Sequence, residues 1–227
     1  LAVKRAGVPV NFVGAVGKDH FADCALSLLR EEAVGLEATT VSDRPTGCAV
    51  VMVDTEGENS IVVASGANLD VRAHQVSDAL LQSNRVLVLQ QEVSFEENES
   101  LGRRAQQAGL KIVLNLAPAT RIPEGLLANT DFLIVNEVEA TFLAGAQPHV
   151  SMTELAEHLA DTYDCGTLIT LGPAGCVVAS GDEHAFGVDA PGVEVVDTTG
   201  AGDTFTGYFA ALLAQERLSL RQCVAGA

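Results

Sequence analysis

A chain of 227 residues, 48% of them hydrophobic, is long enough to bury a substantial core as one large α/β domain or two small ones. Its net charge of -17, with no stripe of Lys or Arg, excludes nucleic acid as a partner. No apolar run approaches the roughly 20 residues of a membrane span, and the first residues lack the order of a signal peptide, so the expected compartment is the cytoplasm and no membrane partner is expected. The five cysteines form no Cys-x-x-Cys pair and are expected as buried thiols. The five histidines do not cluster with them at metal spacing and are expected on surfaces or helix faces.

Leu1 to Gly7 reads as the last turns of a helix closing on a glycine, so a preceding segment is expected. Residues 10–16 form a strand, Gly17-Lys18-Asp19 turns it, and Asp19 caps a helix over 21–32. Residues 38–42, 47–54 and 59–65 are three short β stretches with no helix between them, expected as one small antiparallel sheet with a hairpin loop at 55–58. Val50, Val51, Met52, Val53, Ile61, Val62 and Val63 are too many apolar side chains for a sheet covered on one face. The other face needs a cover.

From residue 72 helix and strand alternate, with strands at 85–89, 111–115, 132–135 and 167–171. This predicts a parallel sheet covered on both faces, whose ligands gather at the carboxyl ends of the strands. Several polar residues fall there. Glu92 is a lone acid after the first of these strands, and Asn115 ends the second at a turn. Asn136 and Glu139 have the spacing of a capping box. Thr170, Gly172 and Gly175 read as a hairpin turn into a strand at 176–180. Further strands are expected at 183–186 and 193–196.

Asp197-Thr198-Thr199-Gly200-Ala201-Gly202-Asp203-Thr204-Phe205 joins that last strand to a helix with apolar residues at Phe205, Phe209, Leu212 and Leu213. The amides of a first helical turn lack partners, and Gly200 and Gly202 leave the backbone bare, so the turn can receive an anion such as phosphate. Asp203 in that turn is placed to take a proton from an attacking hydroxyl. A simple N-cap on a Gly-rich connection is the alternative. A dinucleotide fingerprint is excluded because Phe205 stands where the third glycine would be, and the chain contains no Gly-Lys-Ser or Gly-Lys-Thr of a P-loop. Residues 218–227 read as the start of another helix.

The 197–205 segment, followed by Gly207, resembles the second signature of the ribokinase (PfkB) family of carbohydrate kinases. The resemblance extends in order through Gly57-Glu58-Asn59 to Gly66-Ala67-Asn68, Glu92, Asn136 with Glu139, and Thr170 with Gly172 and Gly175. It implies a ribokinase-like α/β fold, with an α/β core over 1–36 and 70–227 and a β-sheet lid over 37–69 through which two copies pair as a homodimer. It implies ATP-dependent phosphorylation of a sugar's primary hydroxyl, with Asp203 as catalytic base and Gly200, Ala201 and Gly202 as the anion hole. Glu92, Asp203, Gly47 and Ala49 would bind the sugar, and Asn136, Thr170, Gly172 and Gly175 would line the ATP site. Glu139 would order the water shell of Mg2+, and Asp197 and Thr199 would help hold a monovalent cation, usually K+. Ribose is the favoured sugar; fructose, 2-keto-3-deoxygluconate and nucleosides stay open, as does a non-catalytic sugar or nucleotide sensor. The family's first strand, with its sugar-binding aspartate and Gly-Gly-Lys-Gly-Asn segment, does not occur in the 227 residues.

Overall fold

A computed structural model describes the chain apart from residues 54–58, 119, 121, 146–149, 182 and 196. In chain order the elements are α1 (Ala2–Arg5), β1 (Asn11–Val16), α2 (His20–Glu31), β2 (Gly35–Val41), β3 (Cys48–Val53), β4 (Asn59–Ala64), α3 (Asp78–Gln82), β5 (Val86–Leu89), α4 (Phe95–Gln107) and β6 (Lys111–Asn115). They continue with α5 (Glu124–Leu127), β7 (Phe132–Asn136), α6 (Glu137–Leu143), α7 (Met152–Tyr163), β8 (Gly166–Thr170), β9 (Cys176–Ser180), β10 (Glu183–Val188), α8 (Ala201–Leu213) and α9 (Leu220–Ala225). Short 3-10 turns occupy Gly66–Asp70, Ala73–Gln75 and Gly172–Ala174.

The largest sheet has six strands in the order β10-β9-β8-β7-β6-β5. Strands β5 to β8 are parallel, and β9 and β10 return antiparallel. Successive side chains of a strand point to opposite faces, so an almost wholly apolar strand supplies both. Leu133 and Val135 of β7 pack with Ile112 and Leu114 of β6 in one core. Ile134 joins Val113, Leu168, Val178 and Phe209 of α8 in the other. All of these are 2% exposed or less, and fully burying such a side chain contributes about 1.5–3 kcal/mol.

Helix α7 shows how local signals place the covering layer. Ser151 and Glu154 close a reciprocal capping box, with the Glu154 amide donating to Ser151 Oγ at 3.2 Å and the Ser151 amide to Glu154 Oε2 at 2.9 Å. Leu155, Ala156, Leu159 and Ala160 then fall on one buried face, and Asp164 ends the helix at φ 50. The Asp19 cap expected for α2 is present, its Oδ1 accepting the Ala22 amide at 3.1 Å.

Three expectations are corrected. The stretch 38–42 does not join an antiparallel group: β2 pairs parallel with β1, Val13 opposite Ala38 and Val16 opposite Val41. The cause is α2, a crossover long enough to return the chain in the same direction, which a hairpin cannot do. Only β3 and β4 form the antiparallel pair, Cys48 opposite Ala64; the loop at 55–58 lies outside the described residues. Residues 193–195 form no strand, and Val193 and Val195 are 71% and 59% exposed, with no strand paired to them among the described residues. Finally, Cys24 and Cys48 are exposed, each on an outward face of its element. Cys165, Cys176 and Cys223 are buried as expected, and burial pushes the Cys176 thiol up to about 12. His20, His74, His158 and His184 are all exposed; His149 lies outside the described residues. Among the described residues no helix is long and apolar enough to cross a membrane.

Candidate active site

Because β5 to β8 are parallel, their last residues line one edge of the sheet. The ladder register sets Asn136 at the end of β7 directly beside Thr170 at the end of β8. Thr170 Oγ1 donates to the Val135 carbonyl at 3.3 Å. The capping box is complete: the Glu139 amide donates to Asn136 Oδ1 and the Asn136 amide to Glu139 Oε2, both at 2.8 Å. Glu139 is only 7% exposed, and burial raises its carboxyl above the ordinary range, outweighing the Asn136 hydrogen bond. The two glycines after Thr170 differ. Gly172, at φ +54, faces open space, whereas a Cβ on Gly175, at φ +94, would lie 2.0 Å from the Val188 carbonyl oxygen. Gly175 therefore folds the hairpin, and Gly172 leaves room above the sheet edge.

Helix α8 packs on the second core of the same sheet. The Phe209 ring packs edge-on against Phe132, the first residue of β7, at 5.3 Å between centroids. Asp203 precedes Phe209 by six residues, about 9 Å along the helix axis. Gly200 is the cap residue at φ +75, the left-handed region that favours glycine. Its carbonyl accepts the Thr204 amide at 2.9 Å, while the Ala201 amide donates to the Thr198 carbonyl at 3.1 Å. Asp203 is exposed, and its Oδ2 lies 4.0 Å from where a Cβ on Gly200 would be. The carboxylate thus folds back over the glycine turn. In the approach to it, Asp197 Oδ1 accepts the Thr199 amide at 2.8 Å, and the Thr199 hydrogen bonds hold the Asp197 carboxyl below the usual range.

Glu92 is exposed just past β5, three strands from β8, a separation of about 14 Å at the usual strand spacing. Gly47 and Ala49 are not on this edge. Gly47 leads into the separate β3–β4 pair, and Ala49 lies within it, exposed. A Cβ on Gly47 would meet the Ser65 carbonyl oxygen at 2.7 Å, so the two chain segments entering and leaving that pair run in contact.

Among the described residues no group of three or more His, Cys, Asp or Glu side chains could enclose a metal ion. A single carboxylate at Glu139 fits a hydrated Mg2+ carried largely by phosphates and not an all-protein cage. One contributor is not evident from motif reading. Thr46 is 8% exposed and hydrogen-bonded to Asp19; its only sequence signal is its place between the Asp19 turn and Gly47.

The fold defines a class: a mainly parallel α/β protein, covered on both faces, with a glycine turn that leads into a helix whose first turn carries the exposed Asp203 carboxylate. The profile described as "pfkB family carbohydrate kinase" matches residues 1–227, and the chain belongs to that family. A bifunctional ribokinase/ribose-5-phosphate isomerase A of Fructilactobacillus sanfranciscensis is 33% identical over 232 residues, covering 99% of this chain and 42% of its own length. A ribokinase of Haemophilus influenzae is also 33% identical, over 96% of this chain and 72% of its own. The structure of Arabidopsis thaliana ribokinase complexed with ribose and ATP superposes with a TM-score of 0.86 at 29% identity, over 98% of this chain and 76% of that one. The fold is thus ribokinase-like.

Proposed function

We propose that the protein transfers a phosphoryl group from ATP to the primary hydroxyl of a sugar, most readily D-ribose. The observation that carries this is the exposed Asp203 carboxylate beside the left-handed Gly200 in the first turn of α8. Asp203 accepts the proton of the sugar hydroxyl as its oxygen bonds to the γ-phosphorus, and ADP leaves with the electrons of the broken phosphorus–oxygen bond. The amides of Gly200 and Gly202 lie against the charge that gathers on the transferred group, and the Ala201 amide joins them only on releasing the Thr198 carbonyl. Asn136, Thr170 and Gly172 form the ATP side of the edge, with Gly175 holding their turn, and Glu92 with Gly47 and Ala49 faces the sugar. Ribose and ATP are the ligands of the Arabidopsis relative, which supports this pair.

Mg2+, when bound, neutralises phosphate charge, and Glu139 is the residue that would orient its waters. Asp197 and Thr199 would contribute to a K+ site. Since glutamine also completes a capping box, Glu139→Gln separates the helix-capping role from the ion role. It is expected to leave the melting temperature unchanged and to lower activity or Mg2+ affinity about 10–100-fold, as loss of an outer-sphere partner does, measured by Mg2+ titration of turnover.

Residues 37–69 act as a lid in this reading. Val50, Met52, Val62 and Val63 are each 49% exposed or more, and the register puts Val63 on the face opposite Val50, so both faces are apolar. A second copy covering them would give a cytoplasmic homodimer, and a one-chain mass by light scattering at micromolar concentration would remove that assignment. The test of the activity is ADP release from ATP and Mg2+ by the full-length protein over a panel of sugars, with and without K+. Ribose-dependent release supports the whole reading, another sugar changes only the substrate, and binding without release favours a sensor.

A further inference from the structure

The Gly17-Lys18-Asp19 turn is left unused by the kinase reading, yet both oxygens of Asp19 are committed. Oδ2 accepts the Thr46 amide at 2.7 Å, and Oδ1 accepts the Thr46 hydroxyl at 2.7 Å besides the Ala22 amide. The same hydroxyl accepts the Gly17 amide at 2.9 Å, closing a ring of bonds between the β1–α2 turn and the segment entering β3. These Thr46 bonds hold the Asp19 carboxyl below its usual range. Only glycine permits the approach at position 17, where a Cβ would lie 2.5 Å from the Thr46 nitrogen and 2.6 Å from the Arg44 carbonyl oxygen.

The segment held in this way carries the other strand of the lid with it. The Pro45 carbonyl accepts the Ala67 amide at 2.8 Å, and Gly66, at φ +48, lies so close that a Cβ there would be 2.3 Å from the same oxygen. On the outer side, the Ser42 hydroxyl donates to Asp70, whose Oδ1 also faces Arg44 Nε at 3.3 Å. Both stems of the β3–β4 pair are therefore bound to each other, and Asp19 is where they are fixed to the helix cap of α2.

We propose that Asp19 is a positioning residue that fixes Thr46, and through it Gly47 and Ala49, so that the lid presents its sugar-facing backbone at the right height. The consequence is selective: Asp19 governs affinity for the sugar and not for ATP. This rests on the sugar-kinase reading, and the test separates the two.

Asparagine is as good an N-cap as aspartate, so Asp19→Asn keeps α2 folded while setting an amide N–H against one of the donors that the carboxylate accepts. In the full-length protein, Asp19→Asn and Thr46→Val are expected to raise the sugar KM about tenfold or more, the scale of a lost charge-assisted hydrogen bond, with the ATP KM changed less than about twofold. Thr46→Ser, which keeps the hydroxyl, restores the wild-type value. Amide deuterium uptake across Cys48–Val53 rises in Asp19→Asn whether or not any sugar is turned over. Equal rises in both KM values, an unchanged sugar KM, or failure of the serine rescue would overturn the proposal. Should the wild type phosphorylate no sugar, the kinase reading falls, and unchanged deuterium uptake in Asp19→Asn then overturns the clamp independently.

Discussion

Asp203→Asn is expected to lower turnover by about 10²- to 10⁴-fold, the usual contribution of a positioned general base. The side chain is exposed, and no hydrogen bond to its carboxylate is present among the described residues, so folding stability should move by no more than about 0.5 kcal/mol. Asparagine preserves the shape and the helix turn and removes only the proton acceptor. The measurement is a coupled ADP assay at saturating ribose and ATP, beside a thermal melt of the same preparation. Turnover within a few-fold of wild type would end the assignment of Asp203 as base, and a collapsed melt would place its role in the fold.

The second large effect is structural. Gly175→Ala should destabilise the protein by about 3–5 kcal/mol, read from urea unfolding, through two costs that add. Alanine is strained at φ +94, and its methyl would have to sit where the Val188 carbonyl oxygen and the Ala190 amide nitrogen, 2.0 and 2.7 Å away, already are. Both obstacles are backbone, which cannot swing aside as a side chain would. Gly172→Ala is the control: its φ of +54 is strained but its surroundings are open, so only about 1–2 kcal/mol is expected. Equal losses at the two positions would show that the strain, and not the close approach, sets the penalty.

The six-stranded part of the fold was legible because its parallel strands are short, apolar and separated by helices, two of which begin with a complete capping box. Asn136 and Glu139, or Ser151 and Glu154, announce a helix start through groups three residues apart, and such local chemistry survives whatever the tertiary context. The strand at 38–42 was misplaced for the opposite reason. Its sequence fits either a hairpin or a crossover, and its partner is chosen by Ala38 meeting Val13, a contact 25 residues away that no local pattern encodes. The exposed stretch at 193–195 shows the limit of alternation as a signal: Val193 and Val195 have strand spacing but no strand partner among the described residues. At the site, the glycine turn into α8 with Asp203 in its first turn was readable because a helix start is itself local. The Asp19 to Thr46 ring was not, since Asp19 has a sufficient explanation as a cap and its second set of partners lies 27 residues on.

The order of the large sheet bears on how it is made. From β5 to β10 every strand lies beside the one before it in the chain, so none has to be inserted between two already paired. Each new segment finds one free edge with its amides and carbonyls waiting, and the parallel loop that must close before it docks carries one helix, or two between β7 and β8. Parallel pairing is slow because chain entropy is lost before the ladder bonds form. Strict succession keeps that loss to one loop at a time and lets the sheet lengthen in step with synthesis, each strand serving as the template for the next.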